Sequence, residues 1–175
     1  MRRLHLETFL LPAIALVSLV ADQVSKSWIV AHLTEGQSVP LTPWLTPVLQ
    51  LTYVTNTGAV FGLFRGMGDV FIVVAIVVVL ALLFYNYRLP RGQWLMRAAL
   101  GLQLGGALGN LTDRLTRGGS VVDFIDTNFW PLREWPIFNL ADTSIVLGVA
   151  ILAFTILWLH KEPPAPAERQ TSEAT

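Results

Sequence analysis

From Val70 to Tyr85 the chain reads VFIVVAIVVVLALLFY, 16 residues without one charged or amide side chain. A buried strand runs for only about 4–8 residues, so a run of this length is helical in spite of its β-branched content. A helix apolar on every side needs lipid around it, and crossing the hydrocarbon core of a bilayer takes roughly 20 such residues. This one run places the chain in the membrane class. Composition agrees: 53% hydrophobic and 14% charged residues leave too little polar surface for a soluble domain.

Three further segments qualify as spans. The first is TFLLPAIALVSLVADQVSKSWIV, Thr8 to Val30; the next is WLMRAALGLQLGGALGN, Trp94 to Asn110; the last lies within FNLADTSIVLGVAILAFTILWLH, Phe138 to His160. The pattern predicts an all-α membrane protein with four transmembrane helices, at about residues 8–30, 69–87, 94–112 and 140–160, forming one domain over residues 1–160. Arg2 and Arg3 ahead of an apolar core also fit a secretory signal, but Leu19 stands where cleavage near Ala21 needs a small residue, which favours a retained helix. The tail, residues 161–175, is polar and proline-rich and is expected to be disordered.

Basic residues set the orientation. Arg2 and Arg3 precede the first span, Arg88, Arg91 and Arg97 cluster at the second connection, and Lys161 and Arg169 follow the last span. The outer segment, residues 31–68, holds only Arg65, which puts both termini in the cytoplasm. The loop from Leu111 to Asn139 is a mild exception, with Arg114, Arg117 and Arg133. Within the outer segment, Pro40, Pro43 and Pro47 with Trp44 read as a short helix or turns on the membrane surface, and LQLTYVTN from Leu49 reads as a strand.

Several chemistries are excluded early. There are no cysteines, and His5, His32 and His160 are too scattered to form a ligand pair on one helix face, so thiol and metal chemistry are not expected. Lys+Arg and Asp+Glu both number 12, which argues against a nucleic-acid partner. Ser25 and Lys26 are adjacent and cannot face each other on a helix, so a serine–lysine pair fails too.

The informative residues are the polar ones at lipid depth. Asp22 and Lys26 are four apart and can pair, either as a self-neutralising pair near the interface or as part of a site. Gly101, Gly105 and Gly109 form a small-residue stripe for close helix packing. Asn110 and Arg114 share a helical face at the outer end of the third span. Asp123, within VVDFID, is flanked by apolar residues and is the outer-loop acid most exposed to desolvation, with Asp113 and Asp126 as competitors. Asp142 opens the last span just behind Asn139, which is placed to cap it. Two carboxylates sharing one proton can activate water with one member and protonate a leaving group with the other. The helix dipole at Asp142 makes it the candidate base. Capping, ion pairing or transport would use the same residues, although transport calls for ionisable groups spread through the depth, and the second span has none. A non-catalytic adaptor would leave the two acids without a task.

Five boxes now stand in order: DQVSK (Asp22–Lys26), TNTGAVFG (Thr55–Gly62), GGALGNLTDR (Gly105–Arg114), VVDFID (Val121–Asp126) and FNLAD (Phe138–Asp142). Together they closely resemble the bacterial lipoprotein signal peptidases (signal peptidase II), over roughly Thr8 to His160; Ser25 stands where threonine is common in that family. The resemblance implies an aspartic endopeptidase of the bacterial inner membrane with its active site near the outer face. It would remove the signal peptide from diacylglyceryl-modified prolipoproteins, cutting just before the lipidated cysteine. Asp123 and Asp142 would be catalytic, with Asp22, Lys26, Asn56, Gly58, Asn110, Arg114 and Asn139 holding them and the substrate backbone. The outer segment would form a small extracytoplasmic β-sheet and an interfacial helix. No metal or cofactor is implied; the partners would be the prolipoprotein and membrane lipid, and the enzyme would act as a monomer.

Overall fold

The computed structural model describes residues 6–58 and 67–159. Its helices are α1 (Leu6–His32), α2 (Gly68–Arg88), α3 (Trp94–Thr116) and α4 (Leu140–Phe154), the last continued by a π-helical turn, Thr155–Leu159. Phe9–His32, Gly68–Arg88 and Leu140–Trp158 are long and apolar enough to cross a membrane. The helix α3 does not join them, because it carries Arg97, Gln103, Asn110, Asp113 and Arg114 among its leucines and glycines. It is instead the most enclosed element, with more than half of its residues buried.

The contrast with α2 is informative. That helix is apolar all round, yet none of its residues is buried, and Val73, Val77, Leu80 and Phe84 point outward. A face of this kind is stable against lipid and costly against water. Its C-terminal carbonyls lack helical partners, and Arg97 of α3 reaches across to Asn86 O and Oδ1 and to Leu89 O.

Glycine lets α3 sit in the middle. A Cβ at Gly105 would lie 2.6 Å from Ala15 O of α1, and one at Gly106 would strike Ala141 O of α4. The stripe read in the sequence therefore packs α1, while the neighbouring Gly106 packs α4, and both helices approach α3 at backbone distance. A serine pair, Ser18 Oγ to Ser144 Oγ at 2.8 Å, ties α1 to α4 beside this contact.

A three-stranded antiparallel sheet caps one end of the bundle in the order β1 (Ser38–Pro40), β2 (Leu49–Asn56), β3 (Val121–Thr127). The strand expected at LQLTYVTN is present, and VVDFID adds a third strand that the sequence reading had left as loop. Ile29 and Leu33 of α1 pack with Val122 and Phe124 of β3, which seats the sheet on the helices. The expected interfacial helix does not form between β1 and β2: residues 41–48 are turns closed by bonds such as Leu45 N–H to Thr42 O. Pro43 and Pro47 lack an N–H and disfavour helix in the residues before them. The rest of that expectation, at residues 59–66 and including Arg65, lies outside the described residues, as does the tail, residues 161–175.

Candidate active site

The site grows from the first turn of α4, whose N–H groups have no helical partner. Asn139 is the N-cap, in extended conformation: its Oδ1 accepts the Asp142 N–H at 2.9 Å, and Asp142 Oδ2 accepts the Asn139 N–H at 3.3 Å. This reciprocal capping box fixes both side chains. The N–H of Ala141 donates to Asp22 Oδ1 of α1 at 2.9 Å, so a carboxylate from a distant helix completes the turn. Asn139, fully buried, spends its amide N–H groups on Asp123 Oδ1 at 2.6 Å, Asn110 Oδ1 at 3.3 Å and Val122 O at 3.3 Å.

Asp123 lies on β3, 4% exposed. The register of the sheet sets Asn56 opposite Val121, close enough for Asn56 Nδ2 to donate to Asp123 Oδ2 at 3.0 Å. Asn56 is steadied in turn by the Gly58 N–H, which donates to its Oδ1 at 3.0 Å. On the other side, Asn110 Nδ2 donates to Asp142 Oδ1 at 2.8 Å. Asp123 and Asp142 thus meet through Asn139, each with an additional amide donor of its own. Burial pushes the Asp123 carboxyl up to about 7, and the Asp142 charge pushes it the same way, against the hydrogen bonds from Asn56 and Asn139 and the charge of Lys26.

Behind the pair lies a buried ionic group. Lys26 is fully enclosed and spends its three donors on Asp22 Oδ2 at 2.9 Å, Asp113 Oδ2 at 3.0 Å and Asn110 Oδ1 at 3.0 Å. Of the two readings of Asp22 and Lys26, the solvated interfacial pair is therefore ruled out by burial. The competing acids are occupied elsewhere. Asp113 faces Lys26 and Arg117, and Asp126 accepts from Gln50 Nε2 and Thr52 Oγ1 on the sheet.

A cavity of about 720 Å³ opens in front of Asp123 and Asp142. At its polar end are Asn56, Gly58, Asn110 and Arg114, and from there it follows α4 from Asp142 to Ala150, with Phe71 of α2 among its lining residues. Arg114 lies with its guanidinium carbon 5.2 Å from the centre of the Phe71 ring, and Nη1 donates to Asn110 O at 3.5 Å. Among the described residues it makes no hydrogen bond to Asp123, Asp142 or Asp113, which leaves most of its planar fork directed at the cavity.

Residues 14–158 match the family described as signal peptidase (SPase) II. The chain belongs to the signal peptidase II family. It is similar to the lipoprotein signal peptidase of Desulfitobacterium hafniense, at 45% identity over 78% of this chain and 85% of the relative. Against that of Halothermothrix orenii the identity is 41%, over 85% of this chain and 94% of the relative. A solved bacterial membrane enzyme, determined in meso at 2.3 Å, superposes with a TM-score of 0.76 at 33% identity, covering 89% of this chain and 93% of the other. The protein is therefore a membrane-embedded peptidase of lipoprotein processing.

All nine residues assigned from the resemblance fall in this peptidase's network or on its cavity wall. Sequence reasoning gave no part to Gln23, whose Nε2 donates to Asp22 Oδ2, Gly109 O and Asp113 Oδ1. It also treated Asp113 only as a rival acid. The available signal was its position, since a carboxylate near a helix C-terminus opposes the helix dipole and calls for a specific partner.

Proposed function

We propose that the protein is an aspartic endopeptidase that removes the signal peptide from diacylglyceryl-modified prolipoproteins, cutting just before the lipidated cysteine. The observation that carries this reading is the joining of Asp123 and Asp142 through Asn139 at the polar end of an otherwise apolar cavity. Asp142, held at a helix N-terminus by Asn110 and the Asn139 N–H, is the ionised member and takes a proton from water as that water attacks the scissile carbonyl. Asp123, buried and protonated, gives its proton to the carbonyl oxygen. Collapse of the resulting diol breaks the C–N bond, and a proton passes to the departing amine. The products are a signal peptide ending in a carboxylate and a lipidated chain with a free amino terminus.

The substrate reaches such a site from within the lipid plane. Its signal helix and acyl chains lie along the apolar cavity beside α4, and the cleavage point meets the acids where water enters. In this reading α3 is a fourth span despite its polar residues, because its neighbours shield them. Both termini are cytoplasmic, the membrane is the bacterial inner membrane, the acids lie near its outer face, and the enzyme works as a monomer without a cofactor.

The test is cleavage of a diacylglyceryl-modified precursor by the purified protein, beside folded Asp123→Asn and Asp142→Asn variants. Cleavage by the parent and by neither variant supports the dyad. Cleavage by both variants rejects it, and a parent that binds the precursor without cutting rejects the peptidase reading.

A further inference from the structure

Asp113 is a carboxylate in a doubly unfavourable place. It is fully buried, and it lies in the last turn of α3, where the helix dipole opposes negative charge. Its surroundings compensate completely. Oδ1 accepts Gln23 Nε2 at 3.2 Å and Arg117 Nε at 3.3 Å; Oδ2 accepts Lys26 Nζ at 3.0 Å and the backbone N–H of Val122 at 3.0 Å. The two bonds to Oδ2 run to the two halves of the site. Val122 is the residue before Asp123 on β3, and Lys26 holds Asn110, which donates to Asp142.

We propose that Asp113 is a positioning residue for the peptidase reaction, a branch point that sets Asp123 and Asp142 relative to each other through the Val122 backbone and through Lys26 and Asn110. The inference rests on the dyad reading given above. Without Asp113, β3 would be tied to α3 only by sheet pairing and the Asn139 contacts, and Lys26 would face Asp22 alone. A shift of about 1 Å between reacting groups is enough to cost about 100-fold in rate.

The same branch point acts electrically on Asp123. The charged groups around that carboxyl are Asp22 and Lys26 from α1, Asp113, Arg114 and Arg117 from α3, and Asp142 from α4; the neighbouring β2 residue, Asn56, is neutral. Asp113→Asn leaves Lys26 and Arg117 less compensated, which favours the ionised form of Asp123 and moves the alkaline limb of the activity profile to lower pH. Arg117→Gln removes a cation from the same cluster and moves that limb to higher pH.

The experiment measures kcat, KM and the pH profile of the full-length protein in lipid, with a fluorogenic diacylated peptide as substrate and each rate normalised to folded enzyme. Asp113→Asn is expected to lower kcat by about 10- to 100-fold with KM within about twofold, and to shift the alkaline limb down by roughly half a unit. Arg117→Gln is expected to keep kcat within about threefold and to shift the limb up. An Asp113→Asn enzyme with parental kcat, or one whose loss merely follows the folded fraction, overturns the inference while leaving the dyad intact. Should Asp113→Asn not fold, the Arg117→Gln profile decides: an upward shift supports the branch point and an unmoved limb overturns it. Cleavage by both Asp123→Asn and Asp142→Asn in the same assay removes the dyad reading and the inference with it.

Discussion

Asn139 and Asp123 are joined by a 2.6 Å hydrogen bond from the amide Nδ2 to Oδ1, made by the same side chain that caps α4. One residue therefore ends a loop, starts a helix and links two carboxylates. Replacing it separates these effects. Asn139→Ala is expected to lose about 1 kcal/mol of stability from the cap, and more from the stranded Asp123 and Val122 acceptors. Activity should fall further than the unfolded fraction explains, on the order of 100-fold. Thermal unfolding beside cleavage rates reads both.

The elevated proton affinity of Asp123 has a consequence for stability as well as for rate. Between the usual 3.8 and about 7, the folded chain holds a proton that the unfolded chain releases. Stability from this group therefore declines as pH rises through that window and levels off above it. Asp123→Asn has no charge to bury, so its thermal midpoint is expected to exceed the parent's at about pH 8 and to lose that advantage near about pH 4. A parent-like pH dependence in the variant would count against a buried, protonated Asp123.

Lys26→Met tests the ionic cluster behind the pair. Asp22 and Asp113 would be left facing each other in a closed space, and breaking a buried pair in this way costs about 3–5 kcal/mol. The variant should accumulate poorly and unfold early. A variant as stable as the parent would mean that the two acids take up protons at little cost.

Gly106→Ala tests the close approach of α3 and α4. The added methyl would strike the carbonyl oxygen of Ala141, one residue from Asp142, so the helix start must move. Overpacking of this kind costs about 1–3 kcal/mol. Activity should fall with it, and a parental melting midpoint and cleavage rate together would contradict the packing described here.

The sequence was most legible where lipid imposes long apolar runs. The bounds of α2 and α4 follow directly from composition, and LQLTYVTN alternates clearly enough to read as a strand. β3 was not legible, because VVDFID alternates imperfectly and its partner strand lies far back in the chain. α3 runs on to Thr116, past the expected end at 112, because its polar last turn finds partners inside the protein instead of water. The acids themselves stood out in the sequence; what each one faces did not. Burial of Asp22 with Lys26, and the occupation of Asp113 and Asp126, depend on contacts between segments that no local pattern reports. The short helix expected near Trp44 failed for a local reason, the spacing of Pro43 and Pro47.

The bond between Asp22 and the Ala141 N–H spans 119 residues and joins the first helix to the last. In a chain made from its N-terminus and threaded into the bilayer helix by helix, this contact can close only when the fourth helix arrives. Until then Asp142 is absent, Lys26 and Asp22 have no final partners, and Asp123 lacks its link through Asn139. Partly synthesised chains are thus inert towards the signal helices that pass beside them, and activity begins in a single step late in biogenesis.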